Sequence, residues 1–270
     1  MSKEYKKVLS IAGSDSGGGA GIQADLKTFA ACKVYGTTVI TSITSQNTLG
    51  VSNIHPIPVD HVISQIRAVL DDIGTDTIKI GMLYSSDIIL AVANTLKDYS
   101  FSALVIDPVM ISTSGSKLLD DTAIDSLKKH LLPLAAVITP NIPEAEVLLS
   151  RSLKSEDDYL QAAKDLSNMF NTSILLKAGH AAGDVLTDLF YNQKTQQTSF
   201  LSHSKIDTQN THGTGCSLSS SIASFLAQGQ ELKEAIYSAK NYLINSLIAG
   251  KDYKIGKGHG PIHHLHSFWD

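Results

Sequence analysis

The sequence contains little cysteine, little tryptophan and no long apolar run. Its 270 residues include only two cysteines, Cys32 and Cys216, and one tryptophan. Two cysteines this far apart argue against a disulfide framework and favour a reducing compartment. No stretch of about 18 apolar residues occurs, so we expect no membrane-spanning helix. The apolar part of the basic opening segment is too short for a signal peptide, and we therefore expect a cytoplasmic protein.

The chain also lacks a strong charge of either sign. Its formal charge is −4 and its basic residues are scattered, which leaves no electrostatic footprint for nucleic acid. A composition of 43% hydrophobic and 18% charged residues is typical of a globular protein, and this length suffices for a large core. We find no linker, repeat or low-complexity segment, so we expect one domain over residues 1–270.

Short β-branched runs alternate with longer helical patterns. The runs are continuously apolar, which is typical of strands covered on both faces. Strands are predicted at 8–13, 37–44, 77–82, 103–110, 135–140 and 173–179, and an edge hairpin starts near Gly183. Helices are predicted at 20–32, 59–73, 86–98, 120–132, 142–150, 156–169, 215–228 and 232–249. This alternation predicts an α/β fold with three layers (αβα), in which helices cover both faces of a mostly parallel central sheet.

Polar or glycine-rich residues follow six of the predicted strands. In open α/β sheets, ligands bind in the crevice at the carboxyl ends of the strands, so we expect a site there. The strand ends are Gly13 to Gly21, Gln46-Asn47, Gly81-Met82, Asp107-Pro108, Thr139-Pro140-Asn141 and Lys177.

The segment "AGSDSGGGAGIQADLKTF" (12–29) has five glycines between Gly13 and Gly21. Such a loop permits positive φ and close approach of the backbone to a ligand. It fails as a dinucleotide fingerprint because Ile22 occupies the last glycine position, and it fails as a P-loop because no lysine follows the glycines. Asp25, one helical turn further on, either faces the pocket or is an exposed helix carboxylate.

The segments "IDPVM" (106–110) and "ITPNIPEAE" (138–146) place polar residues beside prolines at strand ends. Asn141 and Glu144 suit a hydrated Mg²⁺, which takes one or two carboxylates and keeps several waters. The alternative is that both residues form only a turn and a helix N-terminus, where acidic residues are favoured.

The segment "NTHGTGCSLSSS" (210–221) is the strongest local signal. The N–H groups of its Gly-Thr-Gly turn converge at the start of a helix, as in an anion site. At such a position the Cys216 thiolate is stabilised, and its pKa is expected to fall below about 8.5. The alternative for Cys216 is simple packing. A cysteine-protease reading is weak, because nothing in the sequence fixes His212 as its partner.

The tail "GKGHGPIHHLH" (256–266) contains four histidines. Their spacing matches no standard zinc pattern, which requires a closed set of four ligands. We therefore predict a glycine-rich, partly ordered tail.

These motifs together resemble one known family. "AGSDSGGGAGIQADLKTF", "TSQNTLGV", "IKIGML", "VIDPVM", "TPNIPEAE", "LLKAGH", "THGTGCSLSSS" and "GHGPIHH" resemble the hydroxymethylpyrimidine/phosphomethylpyrimidine kinases of thiamine biosynthesis, which are ribokinase-like. The resemblance covers about residues 8–266. It implies ATP and Mg²⁺ as cofactors, a homodimer, and two successive phosphorylations of 4-amino-5-hydroxymethyl-2-methylpyrimidine. Two departures, Ala178 for a frequent glycine and Ser16 for a frequent proline, are loop details.

The resemblance also implies roles for individual residues. The loop of Gly213, Thr214 and Gly215 would be the anion hole, with Cys216 beside the substrate hydroxyl as candidate base. The residues implied to bind the pyrimidine are Asp25, Gln46, Met82 and Val109. Those implied to bind the nucleotide are Asn141, Lys177, Thr187, Thr211 and Lys240. Those implied to hold Mg²⁺ through water are Asp107 and Glu144.

Two rival functions are considered. Pyridoxal kinases belong to the same superfamily, but the "SQNT" run around Gln46 favours the aminopyrimidine. A nucleotide-binding regulator without catalysis would lack the "GTGC" loop or Asp107, and both are present.

Overall fold

The computed structural model of the protein describes residues 3–110, 119, 121–177 and 184–269. Its strands are β1 (Lys7–Asp15), β2 (Tyr35–Asn47), β3 (Gly50–Pro56), β4 (Thr77–Ile80), β5 (Ala103–Ile106), β6 (Val137–Ile138), β7 (Ser173–Leu176), β8 (Val185–Asn192) and β9 (Gln197–Ser204). Its α-helices are α1 (Gly21–Ala31), α2 (Val59–Leu70), α3 (Ser86–Leu96), α4 (Asp121–His130), α5 (Ile142–Leu149), α6 (Glu156–Phe170), α7 (Thr214–Ala227) and α8 (Leu232–Gly250). A short 3₁₀ turn, Leu132–Leu134, follows α4.

The strands form one nine-stranded sheet in the order β3-β2-β1-β4-β5-β6-β7-β8-β9. The neighbours from β2 to β7 pair in parallel. At one end β3 pairs antiparallel with β2, and at the other end β8 and β9 add an antiparallel hairpin. Because the parallel strands all end at the same edge, the loops that follow them meet there.

Each face of the sheet is covered by its own hydrophobic cluster. Leu9, Ile78 and Leu104 pack with side chains of α2 to α6, whereas Val8 and Val105 pack with α7 and α8. Adjacent residues of one strand therefore point into different layers, as the pleat requires. The predicted three-layer α/β fold is confirmed, and all eight predicted helices are present, with bounds that differ by at most three residues.

The strand predictions were less accurate than the helix predictions. The predicted strands 103–110 and 135–140 end early, at Ile106 and Ile138, because prolines follow and cannot continue a ladder. Strand β3 was not predicted, because this edge strand is partly exposed and lacks the continuous apolar run that marks the buried strands. The edge hairpin is confirmed as β8 and β9. The end of the predicted strand 173–179, with Ala178, and the start of the hairpin at Gly183 lie outside the described residues.

The prediction of a partly ordered C-terminal tail is wrong. His263 and His264 are buried, and the His264 ring lies 3.0 Å from the hydroxyl of Ser217 on α7. Pro261 forms a bridge with His212. The tail is packed because its glycines allow the backbone to approach neighbouring segments closely, which composition alone does not reveal.

A buried ion pair joins the sheet to the α1 and α7 layer. The ammonium of Lys79 in β4 lies 2.9 Å from both carboxylate oxygens of Asp25 in α1, and both side chains are fully buried. The hydroxyls of Ser10 and Ser220 donate to the same carboxylate at 2.6 and 2.7 Å. Burial opposes the charge on Lys79, but Asp25 outweighs it and raises the pKa of that ammonium. Lys79 therefore remains charged.

The described helices include none that is long and apolar enough to cross a lipid bilayer.

Removing one partner of this ion pair should destabilise the protein strongly. Lys79→Met leaves the Asp25 carboxylate buried without its counter-charge, which costs about 3–5 kcal/mol. The matched control is Lys6→Met, because Lys6 pairs with Asp76 on the surface with 55% of its side chain exposed, where a pair contributes at most about 1 kcal/mol. Urea unfolding measures both variants. Equal decreases in the free energy of unfolding of the two variants would contradict the conclusion that the buried pair matters more to stability than the surface pair.

Candidate active site

A cavity of about 660 Å³ opens at the carboxyl ends of the parallel strands. It brings together most of the residues singled out from the sequence. Those that line it are Gln46, Met82, Asp107, Val109, Asn141, Glu144, Lys177, Thr211, Gly213, Thr214, Gly215, Cys216 and Lys240. Residues more than 200 positions apart in the chain thus share one pocket, which is the expected location for a ligand in this fold.

The "GTGC" loop forms the first turn of α7. Gly213 is the N-cap and has a φ of +80°, and a side chain there would overlap the carbonyl of Gly19. Only glycine fits this contact and this conformation. The Thr214 N–H donates to the Thr211 carbonyl at 3.3 Å, and Gly215 and Cys216 of the same turn line the cavity. A helix start at this position favours an anion through the helix dipole.

The glycine-rich loop after β1 folds around a carboxylate of its own. Asp15 accepts hydrogen bonds from the N–H groups of Gly17, Gly19 and Ala20 at 2.8, 3.1 and 2.8 Å. Burial raises the pKa of Asp15, but hydrogen bonds from His212 and from these amides outweigh it, so the pKa lies below its ordinary value. This loop consequently holds an internal anion, in the way that backbone nests hold external ones.

His212 connects the glycine loop to the second strand. Its Nε2 lies 2.9 Å from Asp15 Oδ2 and 3.3 Å from the amide nitrogen of Gln46. Since Asp15 is ionised, Nε2 carries the proton and donates it to that carboxylate. One nitrogen cannot also accept from Gln46, so the Gln46 amide keeps an N–H available for a ligand.

Cys216 lies at the cavity as expected, but its electrostatics are opposite to the prediction. Burial is the main cause that raises the pKa of the thiol, to about 11. The charge of Lys79 lowers this pKa, whereas Asp25 and Asp107 raise it. A hydrogen bond from the Gly21 N–H also lowers it. The helix N-terminus does not outweigh desolvation and the nearby carboxylates. The expectation of a thiolate near neutrality is therefore wrong for the unliganded protein, in which Cys216 is a neutral thiol.

Asp107, Lys177 and Glu144 form a charged cluster beside the anion loop. Lys177 Nζ lies 2.7 Å from Asp107 Oδ1, which also accepts from the Thr139 hydroxyl at 3.1 Å. Burial opposes the charge of Lys177, yet Asp107 and Glu144 raise the pKa of its ammonium. Burial raises the pKa of Glu144 to about 7. The charge of Lys177 lowers this pKa, and the charge of Asp107 raises it further. The pKa of Glu144 therefore lies close to neutral pH.

Asn141 and Glu144 also cap helix α5. The Asn141 side chain accepts from the Glu144 N–H at 2.8 Å, and Glu144 Oε2 accepts from the Asn141 N–H at 2.9 Å. This capping box is the helix N-terminus that the sequence offered as the alternative to metal binding. Both residues line the cavity as well, so the capping box leaves them at the cavity surface.

The donor set suits a hydrated Mg²⁺ rather than a metal caged by protein. Among the described residues, no group of three or more histidine, cysteine, aspartate or glutamate side chains is arranged to hold a metal ion. Two carboxylates, Asp107 and Glu144, share one wall of the cavity, and Glu144 is engaged by backbone N–H groups. Mg²⁺ with one or two carboxylates, waters and phosphate oxygens fits this arrangement.

Two expected site residues do not line the cavity. Asp25 is fully buried below it and is saturated by Lys79 and two serines, so the expected contact with a ring is corrected to a supporting role. The Thr187 hydroxyl lies 2.8 Å from that of Ser202 across the β8–β9 hairpin. Its neighbours on the strand line the cavity instead, because alternate residues of a strand face opposite sides.

Three groups at the site were missed in the sequence. Asp15 was treated as part of a glycine loop, and His212 had no visible partner. Lys79 is a single lysine within the apolar run "TIKIGM", and a charge inside a strand buried on both faces requires a partner. That signal was available. Lys240 lines the cavity and its ammonium lies 2.6 Å from Asp188, a pairing that no local pattern indicates.

Comparisons with known proteins agree with this geometry. A family model described as phosphomethylpyrimidine kinase matches residues 15–263. A hydroxymethylpyrimidine/phosphomethylpyrimidine kinase of Rhizobium meliloti is 45% identical over 262 residues, which cover 97% of each protein. The thiamine biosynthesis bifunctional protein ThiED of Geobacter sulfurreducens is 46% identical over 96% of this chain, which spans only 52% of that protein.

The fold is shared with a solved kinase that binds a nucleotide. Pyridoxal kinase of Bacillus subtilis, in an ADP complex, superposes with a TM-score of 0.90 and is 36% identical, with 99% of this chain and 100% of that chain covered. Its sequence identity is lower than that of the pyrimidine kinase from Rhizobium meliloti.

The raised pKa of Cys216 predicts a slow and strongly pH-dependent reaction with iodoacetamide. With a pKa of about 11, Cys216 at pH 7.5 should react roughly 10²-fold more slowly than a free thiol of pKa about 8.5. Its rate should still rise above pH 10, where the free thiol has levelled off. Mass spectrometry of the modified peptide measures the rate, and Cys216→Ala gives the background from Cys32. A rate that levels off below pH 8 would show that the thiol ionises near neutral pH, and it would support Cys216 as a thiolate base.

Proposed function

The chain belongs to the phosphomethylpyrimidine kinase family and has hydroxymethylpyrimidine/phosphomethylpyrimidine kinase activity, and from this premise we propose how its own residues perform the reaction. The observation that carries the proposal is the convergence of the "GTGC" helix start, the Asp107–Lys177 pair and Gln46 on one cavity. ATP donates its γ-phosphoryl group first to the hydroxymethyl group and then to the resulting monophosphate.

The nucleotide phosphates lie against one side of the cavity in this proposal. Asn141, Lys177 and Thr211 follow the phosphates, and Lys240 approaches the adenosine end. Support comes from their positions on one wall and from the related kinase that binds ADP. Thr187 does not bind the phosphates in this proposal, because its hydroxyl is hydrogen-bonded to that of Ser202.

Asp107 and Glu144 would hold Mg²⁺ through water molecules, and the ion would supply charge neutralisation for the phosphate oxygens. Glu144, whose pKa is raised to about 7, would face the hydrated ion as a carboxylate. Lys177 remains charged beside Asp107 and aligns the phosphoryl oxygens.

The "GTGC" loop stabilises the phosphoryl group during transfer. The backbone N–H groups of the first turn of α7 are fixed before the reaction by the close contact between Gly213 and Gly19. Donors that are already oriented need no reorganisation when charge develops, which is the main source of such catalysis. Because the transition state of phosphoryl transfer has little bond formation to the nucleophile in most analyses, a strong base is not required.

The pyrimidine occupies the part of the cavity next to the glycine loop. The available N–H of Gln46 donates to a ring nitrogen, and Met82 and Val109 cover the ring faces. Cys216 stands beside the acceptor hydroxyl as a neutral thiol and orients it. The hydroxyl proton passes to an oxygen of the phosphoryl group as the new O–P bond forms and the bond to ADP breaks. Asp25 and Lys79 support this thiol from below without touching the ring.

The proposal extends to the protein as a whole. We propose that the chain acts as one kinase domain, as a homodimer and in the cytoplasm. The sheet that runs from β3 to β9 supports the first statement, and two free cysteines support the last. Pyridoxal remains a second acceptor to test, because the pyridoxal kinase of Bacillus subtilis shares this fold.

Gln46→Met should impair the use of the aminopyrimidine selectively. The substitution removes the amide and leaves a ring nitrogen unpaired. The transition state then loses about 1–3 kcal/mol of stabilisation, which appears as a lower kcat/KM. Pyridoxal should lose less, since it does not present the same ring nitrogens. Steady-state kinetics with both alcohols measure the effect. The matched control is Gln161→Met, on the exposed face of α6. An equal loss for both alcohols would show that Gln46 does not read the ring.

Gly215→Ala should slow turnover without unfolding the protein. The added methyl group would lie 3.2 Å from Asp107 Oδ2 and 3.4 Å from Lys177 Nζ, in the space assigned to the phosphoryl group. We expect kcat to fall by about 10²-fold, because a displaced phosphoryl group no longer reaches all of its N–H donors, and the loss of one such donor has about that effect. The midpoint of thermal unfolding should not fall, because alanine is favoured in a helix. An unchanged kcat would exclude the proposed position of the phosphoryl group.

A further inference from the structure

The glycine-rich tail of the chain packs between two parts of the cavity wall. We define residues 256–264, "GKGHGPIHH", as the C-terminal clasp. One end of the clasp contacts the turn between β2 and β3, directly after Gln46, and the other contacts the loop and first turn of α7. The reaction proposed above does not use the clasp.

The first contact is made by the hydroxyl of Thr48. It accepts hydrogen bonds from the N–H groups of Lys257 at 3.2 Å and Gly258 at 3.1 Å. A Cβ atom at Gly256 or Gly258 would overlap Thr48, and Gly256 has a φ of +72°. The glycines at both positions are therefore required by close approach to this turn.

The second contact holds the residues that precede the anion loop. The carbonyl of Gly260 accepts from the His212 N–H at 3.0 Å, and a side chain at Gly260 would overlap Asn210. The Asn210 amide in turn donates to the carbonyls of Gly250 and Tyr253 at 2.7 and 2.6 Å. These bonds fix the start of the loop against the end of α8.

His264 extends this contact into α7. Its Nε2 lies 3.0 Å from the Ser217 hydroxyl, which donates to the Gly213 carbonyl at 2.9 Å. Burial lowers the pKa of His264 to about 3, so the ring is neutral, and its Nε2 is hydrogen-bonded to that hydroxyl. The clasp thus reaches the N-cap of α7, the helix whose first turn stabilises the phosphoryl group in the proposed reaction.

The position of Gln46 depends on such a contact. Strand β3 is at the edge of the sheet, so none of the strands in the described part of the chain holds the outer side of the β2–β3 hairpin. We propose that the C-terminal clasp is a positioning element that sets the separation between Gln46 and the first turn of α7, through Thr48 on one side and His212 and Ser217 on the other. This inference rests on the proposed roles of Gln46 and the anion loop.

The test compares three threonine variants. Thr48→Val keeps the shape of the side chain but removes the acceptor for two N–H groups. We expect the KM for the aminopyrimidine to rise about tenfold, the factor that corresponds to the loss of one hydrogen bond, while the KM for ATP stays at its wild-type value. Thr48→Ser retains the hydroxyl and should restore the KM. Thr172→Val is the matched control, since its hydroxyl donates to the Ala135 carbonyl before β7, at the opposite end of the sheet.

A second variant keeps the test decisive. Gly258→Ala pushes the clasp away from Thr48 and should give the same rise in the pyrimidine KM as Thr48→Val. The inference is overturned if Thr48→Val changes the pyrimidine KM no more than Thr172→Val does, or if Thr48→Ser fails to restore it. A wild-type protein that does not phosphorylate the pyrimidine would instead refute the proposed function, so the two failures are distinguishable.

Discussion

A charge buried in a protein must be paired, and the ion pair between Lys79 and Asp25 is the interaction on which the rest of the site depends. It joins β4 to α1 and, through Ser10 and Ser220, to β1 and α7. These are the elements that carry the glycine loop and the anion loop. Because the pair lies below Cys216, it also supplies the nearest positive charge to the thiol. Structure and electrostatics at the cavity therefore have one origin.

Close backbone contact is the second constraint, and glycine makes it possible. Gly213 touches the glycine loop after β1, and Gly258 touches the turn after β2. Each contact brings a loop of one strand against a segment distant in the chain. The cavity wall is consequently built from backbone atoms held at short range, which gives the N–H groups of α7 fixed directions. Donors fixed in this way are effective catalysts because they do not reorganise during the reaction.

One positive and two negative side chains lie together at the cavity, and they are the groups that the proposal assigns to the nucleotide phosphates and Mg²⁺. Lys177 is paired with Asp107, and Glu144 has a pKa raised to about 7 beside them. In the proposed reaction a hydrated cation would relieve the repulsion between these carboxylates, and the phosphates would bind the ammonium and N–H groups at the start of α7. The neutral thiol of Cys216 fits this division of roles, since transfer relies on charge stabilisation more than on a base.

The sequence by itself determined the fold class, the family and most of the cavity wall, because parallel strands buried on both faces leave polar residues only where they end. Gln46 lies at the end of β2, and Asp107 and Lys177 directly follow β5 and β7, so all three could be predicted in that way. Only the tertiary structure decided the direction of the Cys216 pKa, the burial of Asp25 and the packing of the tail. Each of these depends on groups distant in sequence, such as Lys79 for Asp25 and Thr48 for Gly258. Desolvation and close contact are properties of assembled neighbours, and no local pattern contains them.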